Sequence, residues 1–169
     1  MSEAKPRISR QDLFHSPGNF LAFGFGAGLA PVAPGTIGTV VAIPLYLALV
    51  LFDPFLYTGI VVMSFIAGIS LCRHAAESLS LNRQVGHDHP GIVWDEMVGF
   101  WITLYLIPFS WTAVILGFVL FRLFDIIKPW PIRLIDREVE GGLGIMLDDV
   151  LAGVFANIVL RLILLYLPV

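Results

Sequence analysis

Charge, cysteine and histidine are all scarce in this chain. Only 14% of its 169 residues are Asp, Glu, Lys or Arg, and it has one cysteine and four histidines. The single Cys72 lies in an apolar run, which excludes a disulfide framework and a zinc-ligand spacing and fits a small filler of a membrane helix. Arg73 follows it directly, so there is no Cys-x5-Arg loop and no cysteine-phosphatase chemistry. The Gly-x-Ser-x-Gly elbow, the paired-aspartate DxDx loop and the Ser-Gly-His phosphatase motif are absent too, leaving no obvious nucleophile for a covalent intermediate. A formal net charge of −3 provides no broad basic surface, so nucleic acid is not an expected partner. No internal repeat or low-complexity segment occurs, and nothing points to a protein partner. The opening "MSEAKPRISRQDLFHSPGNF" lacks the basic start, apolar run and cleavage site of a secretory signal, so residues 1–19 are expected to stay as a polar cytoplasmic segment.

Apolar residues are what the chain has in excess. They make up 57% of the sequence, and the mean hydropathy is +0.87. Such a mixture predicts an integral membrane protein, with residues 1–169 as one all-α helical bundle in the lipid bilayer. A helix crosses the hydrocarbon core in roughly 17 to 25 residues. Four or five stretches approach that length: 37–52, 55–72, 92–107, 109–127 and 145–167. Asp53-Pro54 divides the first two and Pro108 the next two, predicting tight hairpins. The glycine-rich "FLAFGFGAGLA" is too short to cross and reads as interfacial or re-entrant. "CRHAAESLSLNR" can extend the second helix, and "PWPIRLIDREVEGG" sets Ile132, Ile135 and Val139 against Arg133, Asp136, Arg137 and Glu140 as an amphipathic surface helix. The positive-inside rule places Lys5, Arg7, Arg10, Arg73, Arg83, Lys128, Arg133 and Arg137 on the cytoplasmic side. Arg161, well along the last span, fits either snorkelling or pairing within the bundle.

Nearly every charge therefore falls at one face. Asp95 and Glu96 open the third span, Asp125 closes the fourth and Asp148 and Asp149 lie near the head of the fifth. Adjacent helix positions diverge by about 100°, so each acidic pair can straddle the inward direction. Five carboxylates in a partly dry place repel strongly unless a divalent cation and nearby bases offset them. Hard oxygen donors without cysteine or a well-placed histidine pair point to Mg²⁺ or Mn²⁺. Asp125 can instead pair with Arg122 or Lys128, each three residues away. In "GFGAGLAPVAPGTIGT", Gly35, Thr36 and Thr39 head the first span, where backbone N–H groups and hydroxyls can hold a phosphate. Lys128 and Arg133 can hold an anionic headgroup or serve as ordinary interfacial anchors. His87 and His89 around Asp88 read as a polar loop rather than as ligands, and His15 and His74 suggest nothing. Asp149, Gly153 and Asn157 recur every four residues beside Ala152 and Ala156, a small polar stripe suited to helix packing.

Four blocks in order, "GLAPVAPGTIGT", "HPGIVWDEMVG", "RLFDIIKPWPIR" and "GGLGIMLDDVLAG", resemble the bacterial phosphatidylglycerophosphatase A family from about residue 20 to residue 157. The resemblance implies a Mg²⁺-dependent enzyme of the inner membrane that converts phosphatidylglycerophosphate to phosphatidylglycerol and phosphate. On this reading Asp95, Glu96, Asp125, Asp148 and Asp149 hold the metal at the cytoplasmic rim. One of them, Glu96 or Asp149, serves as general base rather than as ligand, and Lys128 with the Gly35–Thr39 backbone neutralises the phosphate. The alternative expectation is a divalent-cation or proton-coupled transporter, because intramembrane acids often line ion paths.

Overall fold

Helix boundaries fall where side chains can cap them. In the computed structural model, which describes residues 16–83 and 90–166 apart from the side chains of 79–83, every regular element is helical. Ser16 caps α1 (Pro17–Ala22) by accepting from the Asn19 N–H at 3.1 Å. Two 3-10 turns over Gly24–Leu29 follow, kinked at Phe25 and Gly26, both with positive φ. Next come α2 (Pro34–Leu49) and α3 (Pro54–Arg83). Asp53 Oδ1 accepts from the N–H groups of Phe55 and Leu56, so "DP" is a helix cap with proline in the first turn; the connection is short as expected, but α2 packs against the 3-10 turns and the 94–103 helix rather than pairing with α3 as a tight hairpin. The chain continues through α4 (Trp94–Thr103), α5 (Trp111–Ile127), α6 (Ile132–Glu138) and α7 (Gly141–Leu164). Ser110 caps α5 through the Ala113 N–H.

Among the described residues two helices are long and apolar enough to cross a membrane, α3 over Pro54–Ser78 and α7 over Gly141–Leu164. The 16 residues of α2 form a shorter apolar helix. The stretch 92–107 departs from its expectation as a full span. Its helix α4 has 10 residues, about 15 Å at 1.5 Å per residue, or half the hydrocarbon thickness. At its start the Val93 N–H donates to Ala22 O at 2.9 Å, and at its end Leu106 takes a positive φ. A helix stopping there leaves bare carbonyls, and its neighbours supply donors. Tyr57 Oη donates to Trp101 O at 2.7 Å, and Asn157 Nδ2 donates to Thr103 O and Tyr105 O at 2.8 and 3.0 Å. Arg161 Nη2 donates to Tyr105 O and Leu106 O, while its Nε donates to Asn157 Oδ1. Arg161 therefore pairs with the protein, which decides between the two roles open to it. Asn157, expected to serve packing, is a donor to the same end.

The central helix is α7, which packs against α3, α4, α5 and α6. Small residues let it. A β-carbon at Gly153 would overlap the carbonyl of Gly99, and one at Gly99 would lie 2.7 Å from Asp149 O, so α4 and α7 cross backbone to backbone. Trp101 Nε1 donates to Ala42 O of α2, and Trp94 Nε1 donates to Ser64 O of α3, tethering α4 on both flanks. Cys72 is buried against Met146, in keeping with its expected filler role.

Candidate active site

The Gly99–Gly153 crossing fixes what stands one turn earlier on each helix. Asp95 and Glu96 precede Gly99, and Asp149 precedes Gly153, so the crossing turns the three acids toward one another. One ligand oxygen from each of Asp95, Glu96 and Asp149 lies within 4.8 Å of the others. Buried in this group, Glu96 Oε2 and Asp149 Oδ2 have no hydrogen-bond partner among the described residues. Buried carboxylate oxygens without donors are costly unless a cation is supplied. The donor set is oxygen alone, which fits a hard divalent ion such as Mg²⁺ and not zinc.

The other two expected ligands are already engaged by cations. Asp125 Oδ2 lies 2.6 Å from Arg122 Nη1, and the same nitrogen is 3.8 Å from Glu96 Oε1. Asp148 Oδ2 lies 2.5 Å from Lys128 Nζ, which is also 2.5 Å from Asp136 Oδ1. Burial works against the charge on Lys128, but Asp148 and Asp136 outweigh it and hold the ammonium pKa above its ordinary value. Lys128 is able to reach both acids because it ends α5 in the left-handed conformation, with φ 45°, which turns the chain sharply into α6. The five carboxylates thus divide into a converging trio and two that are balanced by bases.

All five, with Lys128, line a cavity of about 200 Å³ at the end of the bundle formed by the starts of α4 and α7 and the end of α5. Asp136 and Glu140 also line it, though the sequence reads both as polar positions of a surface helix. The amphipathic pattern does place Ile132 in the core, yet the α5–α6 turn brings Asp136 over Lys128, a contact eight residues apart that no helical periodicity signals.

The expected phosphate-binding positions are arranged differently. Gly35, Thr36, Thr39 and Arg133 do not line the cavity. Thr39 is fully buried and its hydroxyl donates to Gly35 O at 2.9 Å, within its own helix. A β-carbon at Gly35 would overlap Glu96 Oε1 and come 3.2 Å from Arg122 Nη1, so this glycine makes room for the acid and its guanidinium. Arg133 is exposed on α6. His87, Asp88 and His89, along with Lys5, Arg7, Arg10 and His15, lie outside the described residues.

Comparison with known proteins bears on the same residues. The chain matches the family described as Phosphatidylglycerophosphatase A over residues 20–164. It is 44% identical over 154 residues to phosphatidylglycerophosphatase A of Escherichia coli (strain K12), covering 90% of this chain and 84% of that protein. With the Haemophilus influenzae enzyme of the same name it shares 42% identity over 146 residues, 85% of this chain and 86% of that protein. A Bacteroides thetaiotaomicron protein, named as a candidate phosphatidylinositol-3-phosphatase, is 41% identical over 145 residues, 81% of this chain and 87% of its own. No solved structure matches. None of these findings supports a transporter, and the acids gather at one end of the bundle while the other end is tied by Tyr57, Asn157 and Arg161. With a match over most of its length and an acidic cavity built from its most distinctive blocks, the chain belongs to the phosphatidylglycerophosphatase A family and is a phosphatase.

Proposed function

We propose that this phosphatase hydrolyses phosphatidylglycerophosphate to phosphatidylglycerol and inorganic phosphate, with Mg²⁺ held by Asp95, Glu96 and Asp149. The observation that carries the metal reading is the convergence of these three carboxylates within 4.8 Å, with two oxygens buried and unpartnered. Two relatives bear the name of this substrate's phosphatase. When bound, the divalent ion supplies Lewis-acid polarisation and activation of water there. Asp125 and Asp148 remain with Arg122 and Lys128 and act as the outer wall of the site rather than as its first ligands. Lys128 presents its ammonium to the substrate phosphate, and Glu96 or Asp149 accepts the proton of the attacking water. Water adds to phosphorus, the bond from phosphorus to the glycerol oxygen breaks, and that oxygen takes up the proton accepted by the acid and leaves as the alcohol of the product lipid.

The membrane arrangement belongs to the same proposal. Here α2, α3, α5 and α7 cross the bacterial inner membrane, and α4 together with the non-helical residues 104–110 carries the chain across between α3 and α5, giving five crossings. The cavity then faces the cytoplasm, on the side of Arg73, Arg133 and Arg137. Exposed Ile126, Ile127, Trp130 and Leu134 next to it suit a bilayer interface, from which a lipid can present its headgroup while its tails stay in the leaflet.

The test is phosphate release by purified protein in detergent, with phosphatidylglycerophosphate or phosphatidylinositol 3-phosphate as substrate, before and after EDTA. Release from the first lipid, abolished by EDTA and restored by Mg²⁺, is expected. Undiminished release in EDTA would overturn the metal assignment, and preference for the inositol lipid would overturn the substrate.

A further inference from the structure

Among the described residues Lys128 is the one base that lines the cavity, yet its ammonium is shared between two carboxylates. They are not equivalent. The Asp148 side chain is 9% exposed on the central helix, whereas the Asp136 side chain is 34% exposed on the seven-residue α6 at the rim. Asp148 is buried on the central helix, whereas Asp136 stands at the rim, where a side-chain rotation carries it into solvent. A phosphate entering this cavity brings more negative charge among acids and needs the ammonium that Asp136 occupies.

We propose that Asp136 is a displaceable placeholder for the substrate phosphate, holding Lys128 in position when the site is empty and yielding its place when a phosphate arrives. The inference rests on the reading of Lys128 as the phosphate-holding base, and it makes Asp136 a positioning residue that tunes affinity. Competition of this kind lowers the apparent affinity of every phosphate ligand by the fraction of time Lys128 is occupied. The benefit is release of product: inorganic phosphate lacks the lipid's hold on the bilayer and is the ligand more readily expelled when Asp136 returns. Removing the competitor should therefore tighten phosphate binding, which loosening of the fold cannot do.

The experiment is calorimetric titration of inorganic phosphate into the full-length protein in detergent with Mg²⁺ present. Asp136→Asn should bind phosphate about tenfold more tightly than wild type, the size of one charge-assisted bond. Asp136→Glu should stay near wild type. In a Lys128→Met background the Asp136→Asn gain should vanish, because there is no ammonium left to compete for. Unchanged or weaker binding in Asp136→Asn, or an equal gain without Lys128, would overturn the proposal. Asp136→Ser removes the same charge with a smaller side chain and gives the same reading should the Asn variant not fold. Because the titration requires no turnover, a failure to hydrolyse phosphatidylglycerophosphate would refute the substrate reading alone.

Discussion

Asp149 and Asp148 are neighbours in sequence with different surroundings. Asp149 turns toward Asp95 and Glu96, while Asp148 is bonded to Lys128. Asp149→Asn or Asp95→Asn should lower kcat/KM by roughly 100-fold or more and abolish Mg²⁺ dependence, as measured by phosphate release across a Mg²⁺ titration. Asp125→Asn should instead retain Mg²⁺ binding with weakened affinity, about 10-fold to 100-fold, because it acts through Arg122 and Glu96. Lys128 carries a pH prediction. Its folded pKa is raised, so its contribution to stability is fully present below the ordinary value of 10.5 and is lost only as pH rises through the higher folded value. The thermal destabilisation caused by Lys128→Met should thus be the same at about pH 6 and about pH 9. A destabilisation that shrinks between those two pH values would show instead that the Lys128 pKa is depressed and the ammonium is lost within that range.

The short helix α4 is where sequence and structure part most. Its apolar pattern continues to Ile107, which is why the stretch reads as a span, but the helix stops at Thr103, where Tyr57, Asn157 and Arg161 satisfy the carbonyls of Trp101, Thr103, Tyr105 and Leu106. Those three donors come from α3 and α7 and are distant in sequence, so no local signal marks the stop. Arg161→Met should cost about 1–3 kcal/mol by leaving Tyr105 O and Leu106 O without this donor. Thermal unfolding in detergent would measure it. At the other end of α4, Gly153→Val forces the backbones of α4 and α7 apart. A loss of about 1–3 kcal/mol is expected from overpacking, with Mg²⁺ affinity falling as Asp149 moves from Asp95 and Glu96. Retained Mg²⁺ affinity in a folded Gly153→Val protein would show that the crossing does not position the trio.

At the scale of the whole molecule, one end of the bundle carries the cavity with its acids and Lys128, and the other carries the polar clamp of Tyr57, Asn157 and Arg161. With Cys72 replaced by alanine, Arg137→Cys should react with a membrane-impermeant thiol reagent in inside-out vesicles and not in right-side-out vesicles, if the cavity end faces the cytoplasm. The helical character, the helix break at Asp53-Pro54 and the cluster of five acids were legible in the sequence, because hydropathy, proline and charge are local properties that survive any packing. The acids announced themselves because a carboxylate in an apolar run needs a compensating group. Which group serves which acid was not legible. Arg122 takes Asp125, Lys128 takes Asp148 and Asp136, and Thr39 spends its hydroxyl on its own helix, each through a contact set by backbone approach and side-chain direction. Composition and order along the chain determined that an acidic site would form at one end of an apolar helical bundle. Only the Gly99–Gly153 crossing and the left-handed turn at Lys128 decided that three acids converge while two are neutralised, since both depend on which helices touch.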